Sequence, residues 1–318
     1  MSADAATGQS ESPAGAGGTL YVVATPIGNR ADLAPRAIEV LGHVPLVAAE
    51  DTRVLRRLLA RTGLAPRAVS YHARNASTRG PALLEHLRGG GDLALVTDAG
   101  TPGISDPGDA LVAAWGGEGG RVVPVAGPSA VTAALSATGI AGPRWSFEGF
   151  LPRSGRVRRE RIARLAADER GAVVFEAPGR LTGTLRELAA ACGPDRPGAV
   201  CRELTKLHEE IVRGGLGTLA DRAAAGEIDG RGEAVIVLGR QAPPRSPVAA
   251  RAAVTDPDEA LIAARAEVER LVEAGLARGA AARRVSGSTG LPRRALYGAA
   301  ARSGSVPRPG RSGRASGS

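Results

Sequence analysis

The chain has 318 residues, 43% hydrophobic and 23% charged, with 41 basic residues against 32 acidic. That length is enough for two domains of ordinary size, and the composition is globular rather than fibrous or disordered. No apolar run approaches a membrane span and the N-terminus lacks a basic-then-apolar signal pattern. Two cysteines, Cys192 and Cys201, and four scattered histidines offer neither a disulfide framework nor metal-like spacing, so a cytoplasmic protein with no structural metal is expected.

Residues 1–17 are small and polar and are expected to be disordered. Residues 20–24 read as a strand running into Thr25-Pro-Ile-Gly-Asn29, after which Asp32 can cap a helix carrying Leu33, Ala37, Ile38 and Leu41. The next strand, 46–49, ends at Glu50-Asp-Thr-Arg53, and a helix with Val54, Leu55, Leu58 and Leu59 follows. A short strand at 68–71 leads to His72 and Asn75, and a helix around 83–87 precedes the apolar strand 93–96. Beyond it, Thr97-Asp-Ala-Gly-Thr-Pro-Gly-Ile-Ser-Asp-Pro-Gly108 packs two glycine–proline clusters, each with an Asp, into one loop. Gly and Pro fix a loop's path and let backbone approach a ligand, and strand carboxyl ends are where open α/β sheets bind ligands. A helix near 110–115, the strand 121–125 and a helix from Ser129 complete repeated βα units, which predict a largely parallel sheet.

A second unit starts near Arg144. Strands at 147–150 and 172–175 flank a basic helix, residues 181–191 are helical, and strands at 199–204, 209–212 and 234–238 lie close enough to be partly antiparallel. Residues 240–254 read as a Pro/Ala/Arg linker. An amphipathic helix is predicted over 258–277, and shorter ones over 280–285 and 293–302 are separated by Ser286-Gly-Ser-Thr-Gly290, a pattern that resembles a helix-turn-helix. Domain limits follow at 18–140, 141–240, a 241–257 linker and 258–302, with a disordered 303–318 tail.

Charge is segregated. After Glu273 no acidic residue occurs, but nine arginines do, so 41 − 9 leaves 32 basic residues to balance the 32 acidic ones upstream. Arg283, Arg284, Arg293 and Arg294 are the expected polyanion contacts. Lys206 is the only lysine, and Asn29 and Asn75 are the only asparagines; a GC-rich genome explains the scarcity but not which three remain. Arg replaces Lys as a surface charge but not as a compact donor.

Four strand ends, at 25–29, 50–53, 98–108 and 127–129, lie on one edge of a parallel sheet and can line one cleft. No phosphate loop, dinucleotide fingerprint or nucleophile elbow is present. The segments 20–29, 48–53, 97–108, 125–130, 147–152, 175–181 and 202–206 occur in an order that resembles the ribosomal RNA small subunit methyltransferase I family of the tetrapyrrole methylase superfamily. The resemblance implies an α/β, two-domain tetrapyrrole-methylase-like fold with a small C-terminal helical module. It also implies an S-adenosylmethionine-dependent enzyme that methylates a cytidine 2′-hydroxyl in the decoding centre of 16S ribosomal RNA, with the small ribosomal subunit as partner and a homodimer as assembly. Carried over, the cofactor residues are Pro26, Asp98, Ala99, Gly100, Pro102, Ser129, Ala130, Phe175, Thr205 and Ala234. Arg30, Ala76 and Gly179 depart from the family pattern near the substrate pocket.

A ribose hydroxyl is weakly acidic, so a positioned base or a cation would help the transfer. Candidates are Lys206, Glu50, Asp51, Glu203 and His72, with Asp98 and Asp106 beside them. Structural alternatives stay open: Glu50 and Asp51 can pair with Arg53 or cap a helix, Glu203 can pair with an arginine, and Lys206 can be a solvated charge. The alternative functions are a related methylase acting on a protein side chain or a tetrapyrrole, and a non-catalytic RNA-binding protein.

Overall fold

The structure, a computed structural model, describes residues 17–241 and 257–297. The predicted disordered ends, the 242–256 part of the linker and residues 298–302 of the last helix lie outside the described residues. The chain divides into two compact units, Met1–Gln241 and Ala242–Ser318.

In the first unit, β1 (Thr19–Val23), β2 (Leu46–Ala49), β3 (Ala68–Ser70), β4 (Leu93–Val96) and β5 (Arg121–Val125) form a parallel sheet ordered β3-β2-β4-β1-β5. β2 and β4 are buried along their whole length, as central strands covered on both faces must be. Successive side chains of a strand point to opposite faces. Leu93 and Leu95 pack with Leu83 and Leu87 of α3 (Ala76–Arg88) and with Leu111 and Trp115 of α4 (Asp109–Gly117). Ala94 and Val96 pack on the other side with α1 (Pro35–His43) and α2 (Thr52–Leu59).

The second sheet, ordered β6-β7-β10-β8-β9, comprises β6 (Trp145–Phe150), β7 (Gly171–Glu176), β8 (Pro197–Arg202), β9 (Glu210–Gly215) and β10 (Ala234–Leu238). β6 runs parallel to β7, and the other pairings are antiparallel. Helices α6 (Gly155–Ala167), α7 (Leu181–Cys192) and α8 (Leu216–Ala224) cover one face through Ile162, Leu165, Leu185, Leu188 and Leu219. The other face, through Val173, Ala199, Cys201 and Val237, packs on Val131 and Ala134 of α5 (Ala130–Thr138), the helix that follows the first sheet. α5 therefore ties both sheets into one unit.

Three local expectations are corrected. Asp32 caps no helix: the Asn29 side chain accepts from Ala31 N–H at the head of a 3-10 turn, Arg30–Asp32, and α1 begins at Pro35, where a fixed φ and a missing N–H suit the first helical turn. α8 is absent from the sequence reading because its LGTLADRAA run is short and follows a strand directly. Residues 286–289 belong to a helix rather than a turn.

That helix is in the second unit, formed by α9 (Pro257–Glu273), α10 (Arg278–Thr289) and the single turn α11 (Arg293–Leu296) around Ala264, Val268, Ala281, Ala282, Val285 and Leu296. Ser288 and Thr289 donate their hydroxyls back to Val285 O, which lets polar residues continue α10 until Gly290, at φ 73, ends it. Arg278 pairs with Glu269 at 2.5 Å, whereas Arg283, Arg284, Arg293 and Arg294 are exposed with no acidic partner among the described residues.

The second sheet closes before the linker: Gly239 N–H donates to Pro197 O at 2.7 Å and Gln241 N–H to Glu169 O at 3.0 Å. A chain ending at Gln241 keeps both sheets and their helices. It should melt cooperatively within a few degrees of the full chain; loss of the cooperative transition in calorimetry would show that the first unit depends on the second.

Candidate active site

The loops after β1, β2 and β4 emerge at one sheet edge and are laced together by their backbones. Thr25 N–H donates to Gly100 O at 2.8 Å and Gly100 N–H returns the bond to Thr25 O at 3.0 Å. The Thr25 hydroxyl donates to Thr97 O at 3.1 Å. The acidic side chains cross between loops as well: Glu50 Oε2 accepts from Asp98 N–H at 3.2 Å and Asp98 Oδ1 accepts from Asp51 N–H at 3.1 Å. Gly100 sits at φ 80, where a β-branched side chain is strongly disfavoured, and the nearest atom to a Cβ there is Ile27 Cγ2 at 3.7 Å. Conformation, more than crowding, requires this glycine.

These loops face the second sheet across a cavity of ≈ 380 Å³. One wall is Asp98, Ala99, Gly100 and Thr101 with Glu50; the other is Phe175, Glu176, Cys201, Ala234 and Val235. Ser129 and Ala130, where α5 starts, close one side, and Ile104, Ser105, Asp106 and Phe150 also line the space. A neighbouring cavity of ≈ 330 Å³ shares Ile27, Asp98, Ala99 and Glu233 and adds Pro26, Gly28 and Lys206.

Asp106 is the electrostatic centre of the larger cavity. Burial, then the Glu50 carboxylate, push its carboxyl up to about 7; the Thr97 hydroxyl opposes this, and Asp98 and Glu233 add to the rise. Asp98 is also raised, by burial first and Glu50 next. Among the described residues neither carboxyl has a salt-bridge cation. Like charges gathered this closely disfavour full ionisation of the group.

Lys206 is not a solvated charge. Its Nζ lies 2.6 Å from Glu233 Oε2 and 3.1 Å from Glu203 Oε1, and it stands above the usual lysine value because these bonds outweigh burial, which alone would lower it. Glu203 is lowered, first by the Glu233 N–H it accepts at 2.9 Å. The loop is strained: Glu203 and Thr205 sit at φ 46 and 64, a region unusual for non-glycine residues, above all a β-branched one. It is also locked to the first-strand loop. Asn29 N–H donates to Thr205 Oγ1 at 3.0 Å, and a Cβ on Gly28 would meet Lys206 Cγ at 2.5 Å.

The chain matches the family model for tetrapyrrole (corrin/porphyrin) methylases over residues 19–220. It is 42% identical over 280 residues to a ribosomal RNA small subunit methyltransferase I of Synechocystis, covering 88% of this chain and 96% of that one. A protein of the same name from Xylella fastidiosa is 42% identical over 281 residues, covering 88% and 98%. The chain belongs to the ribosomal RNA small subunit methyltransferase I family. Solved structures extend the likeness in fold. A cobalt precorrin-4 methyltransferase of cobalamin biosynthesis superposes with TM-score 0.54 at 20% identity, covering 70% of this chain and 94% of that one. A uroporphyrin-III-C-methyltransferase from Thermus thermophilus gives 0.51 at 20% identity, covering 70% and 94%.

Of the cofactor residues implied by the family resemblance, Asp98, Ala99, Gly100, Ser129, Ala130, Phe175 and Ala234 line the larger cavity and Pro26 the smaller. Pro102 is buried beneath the loop and Thr205 supports Asn29; neither lines a cavity. Glu50 is in the cavity. Asp51 instead holds Arg53 at 2.6 Å and caps α2, which keeps it far below the usual carboxylate range. His72 stands after β3, outside both cavities, with a buried Nδ1 that has no hydrogen-bond partner among the described residues. Ile104 and Ser105 lie in the glycine–proline loop that the sequence marks as a ligand loop, though neither is a candidate by itself, and Glu233 belongs to no motif.

Asp106 should leave a stability signature. The unfolded chain releases this proton near pH 3.8 and the folded chain near 7, so rising pH between these values destabilises the native state through this group. Asp106→Asn removes that loss. The melting temperature of the variant relative to the parent should therefore rise between pH 4.5 and pH 8 by a few degrees. A pH-independent difference would place the Asp106 carboxyl in ordinary solvent.

Proposed function

We infer that this chain methylates ribosomal RNA of the small subunit, using S-adenosylmethionine and acting on the 2′-hydroxyl of a cytidine ribose. The observation that carries the reading is the cavity itself, where Asp106, its carboxyl pushed up to about 7, stands with Glu50 and Asp98 between the Ala99–Thr101 backbone and the apolar Phe175, Ala234 and Val235. The cavity residues fit the cofactor. A space of ≈ 380 Å³ is in the range of small-molecule sites, Phe175, Ala234 and Val235 offer apolar surface, and the Ala99–Thr101 backbone comes close because Gly100 carries no side chain. Glu50 and Asp98 favour a positively charged guest.

S-adenosylmethionine supplies an electrophilic methyl group on a sulfonium, and transfer to an oxygen is an in-line displacement. The protein's part is to align the acceptor, exclude water and remove the hydroxyl proton. Asp106, ionised above about 7, is the proton acceptor. Burial, and after it the Glu50 carboxylate, set its affinity for the proton. Lys206 positions Glu233 and Glu203, and through its stem the Gly28 loop, rather than touching the reacting atoms. Arg283, Arg284, Arg293 and Arg294 present uncompensated charge to the RNA backbone. A cytoplasmic location and a homodimer belong to the same proposal; among the described residues no helix is long and apolar enough to cross a membrane.

The test is transfer of labelled methyl groups from S-adenosylmethionine to small ribosomal subunits, naked RNA or cell protein. Label in small-subunit RNA, on a nucleotide resistant to alkaline cleavage, is the expected result; label in protein would replace this reading with that of a protein methylase. Asp106→Asn should lower kcat about 100-fold or more and abolish the rise in rate through pH 7. A variant that keeps the wild-type pH profile would remove Asp106 from proton transfer.

The docking arginines have a separate readout. Neutralising phosphates releases counterions, so RNA affinity falls steeply with salt, with a slope set by the number of contacts. Replacing Arg283, Arg284, Arg293 and Arg294 by Ala should weaken RNA binding and flatten that slope by about two or more, leaving S-adenosylmethionine affinity unchanged. An unaltered slope would assign the phosphate contacts to other residues.

A further inference from the structure

The three phenylalanines of the chain meet at one place. The rings of Phe147 and Phe150 both lie edge-on to Phe175, with centroids 5.0 and 5.5 Å away. In a regular strand, residues three apart face opposite sides of the sheet. A bulge at Glu148 changes the count: Phe147 pairs with Val173, Gly149 with Val174 and Phe150 with Phe175. Val173 and Phe175 share a face, so Phe147 and Phe150 do as well. Gly149, at φ 58, makes the bulge possible, and a Cβ on it would meet Ser105 Oγ at 2.9 Å. The bulge thus brings β6 against the loop that holds Ile104 and Asp106.

Phe147 and Phe175 are partly buried against the core, but Phe150 stays 50% exposed and Ile104 43% exposed, both on the lining of the Asp106 cavity. The exposure of Phe150 is fixed by its backbone. Arg161 donates to Phe150 O at 3.1 Å, Arg180 to Leu151 O at 2.9 Å and Arg158 to Pro152 O at 2.9 Å. Three guanidinium groups clamp three successive carbonyls, so the ring is held at the opening. Just downstream, Arg153 and Arg159 are exposed and have no acidic partner among the described residues.

We propose that Phe150 is the platform on which the acceptor nucleobase stacks, with Arg153 and Arg159 meeting the flanking phosphates. The proposal rests on the reading of this chain as an RNA methyltransferase and supplies what that reading lacks, a means of presenting a ribose to Asp106. A base unstacked from its neighbours offers a free π face to an aromatic side chain, which a base inside a helix does not. Stacking also tolerates any base, so the platform sets the pose of the nucleotide and leaves its choice to other contacts. The occupant is a splayed-out nucleotide of single-stranded or looped RNA.

Phe150→Ala, Phe150→Leu and Phe150→Tyr separate the possibilities, assayed with small ribosomal subunits and, by calorimetry, with S-adenosylmethionine alone. The Ala and Leu variants should lose about ten-fold or more in kcat/KM for the subunit, the Tyr variant should recover most of it, and cofactor affinity should stay within two-fold in all three. Arg153→Ala with Arg159→Ala should raise KM and flatten its salt dependence. Full activity in Phe150→Leu would show an apolar cover rather than a stacking platform. A parallel loss of cofactor affinity would make Phe150 a cofactor wall. Activity of the wild-type protein on small-subunit RNA with no loss in Phe150→Ala would overturn this proposal and leave the function standing, whereas wild-type protein inert on RNA would overturn both.

Discussion

The site depends on the lacing of three strand-end loops. Thr25 and Gly100 exchange two backbone hydrogen bonds, and Glu50 and Asp98 each accept a backbone N–H from the neighbouring loop. A parallel sheet satisfies its backbone up to the strand ends and no further, so loops beyond that edge need other partners. Here the partners are each other. That arrangement holds the 97–101 backbone open toward the cavity with its path fixed, and it places carboxylates where helix caps or surface ion pairs are more usual. Asp51 shows the contrast: one residue along the same loop, it takes the ordinary role and pairs with Arg53.

The acidic cluster is the unusual feature that follows. Glu50, Asp98 and Asp106 line one cavity; Lys206 is committed to Glu203 and Glu233 and Arg53 to Asp51, and Arg57 only partly offsets the rise at Asp98. Fold stability gains nothing from like charges brought together. The cluster makes sense as preparation for a cationic guest and as a means of raising one carboxyl into the range where it exchanges protons near neutrality.

The sequence made the first sheet and the position of its loops legible because the physics there is local. Apolar runs of four residues ended by Gly and Pro mark both the buried strands and the turns, and the 97–108 loop stands out for that reason. What stayed hidden depends on contacts distant in sequence. Asp106 looked like one more loop acid; its raised affinity for a proton comes from burial and from Glu50, 56 positions earlier. The bulge at Glu148 that turns Phe150 toward the cavity leaves no mark beyond a glycine in a strand. Lys206 and the two asparagines were flagged by their rarity. Asn29 and Asn75 both turn out to close turns, Asn29 by accepting from Ala31 N–H and Asn75 by accepting from His72 N–H at 2.8 Å.

Lys206 shows why one lysine remains among so many arginines. Its four-carbon stem lies against Gly28, where even a Cβ would be 2.5 Å from Cγ, and its compact ammonium reaches Glu203 and Glu233 at once. A planar guanidinium presents its donors in a fixed fork and is bulkier than the ammonium. The two glutamates approach from different loops, and Glu203 is already turned by a left-handed backbone to accept the Glu233 N–H. A compact ammonium at the end of a slim stem fits between them beside Gly28. The lysine thus packs its stem on the first-strand loop, which Asn29 N–H also ties to Thr205 Oγ1, so this loop and α5 both join the two sheets.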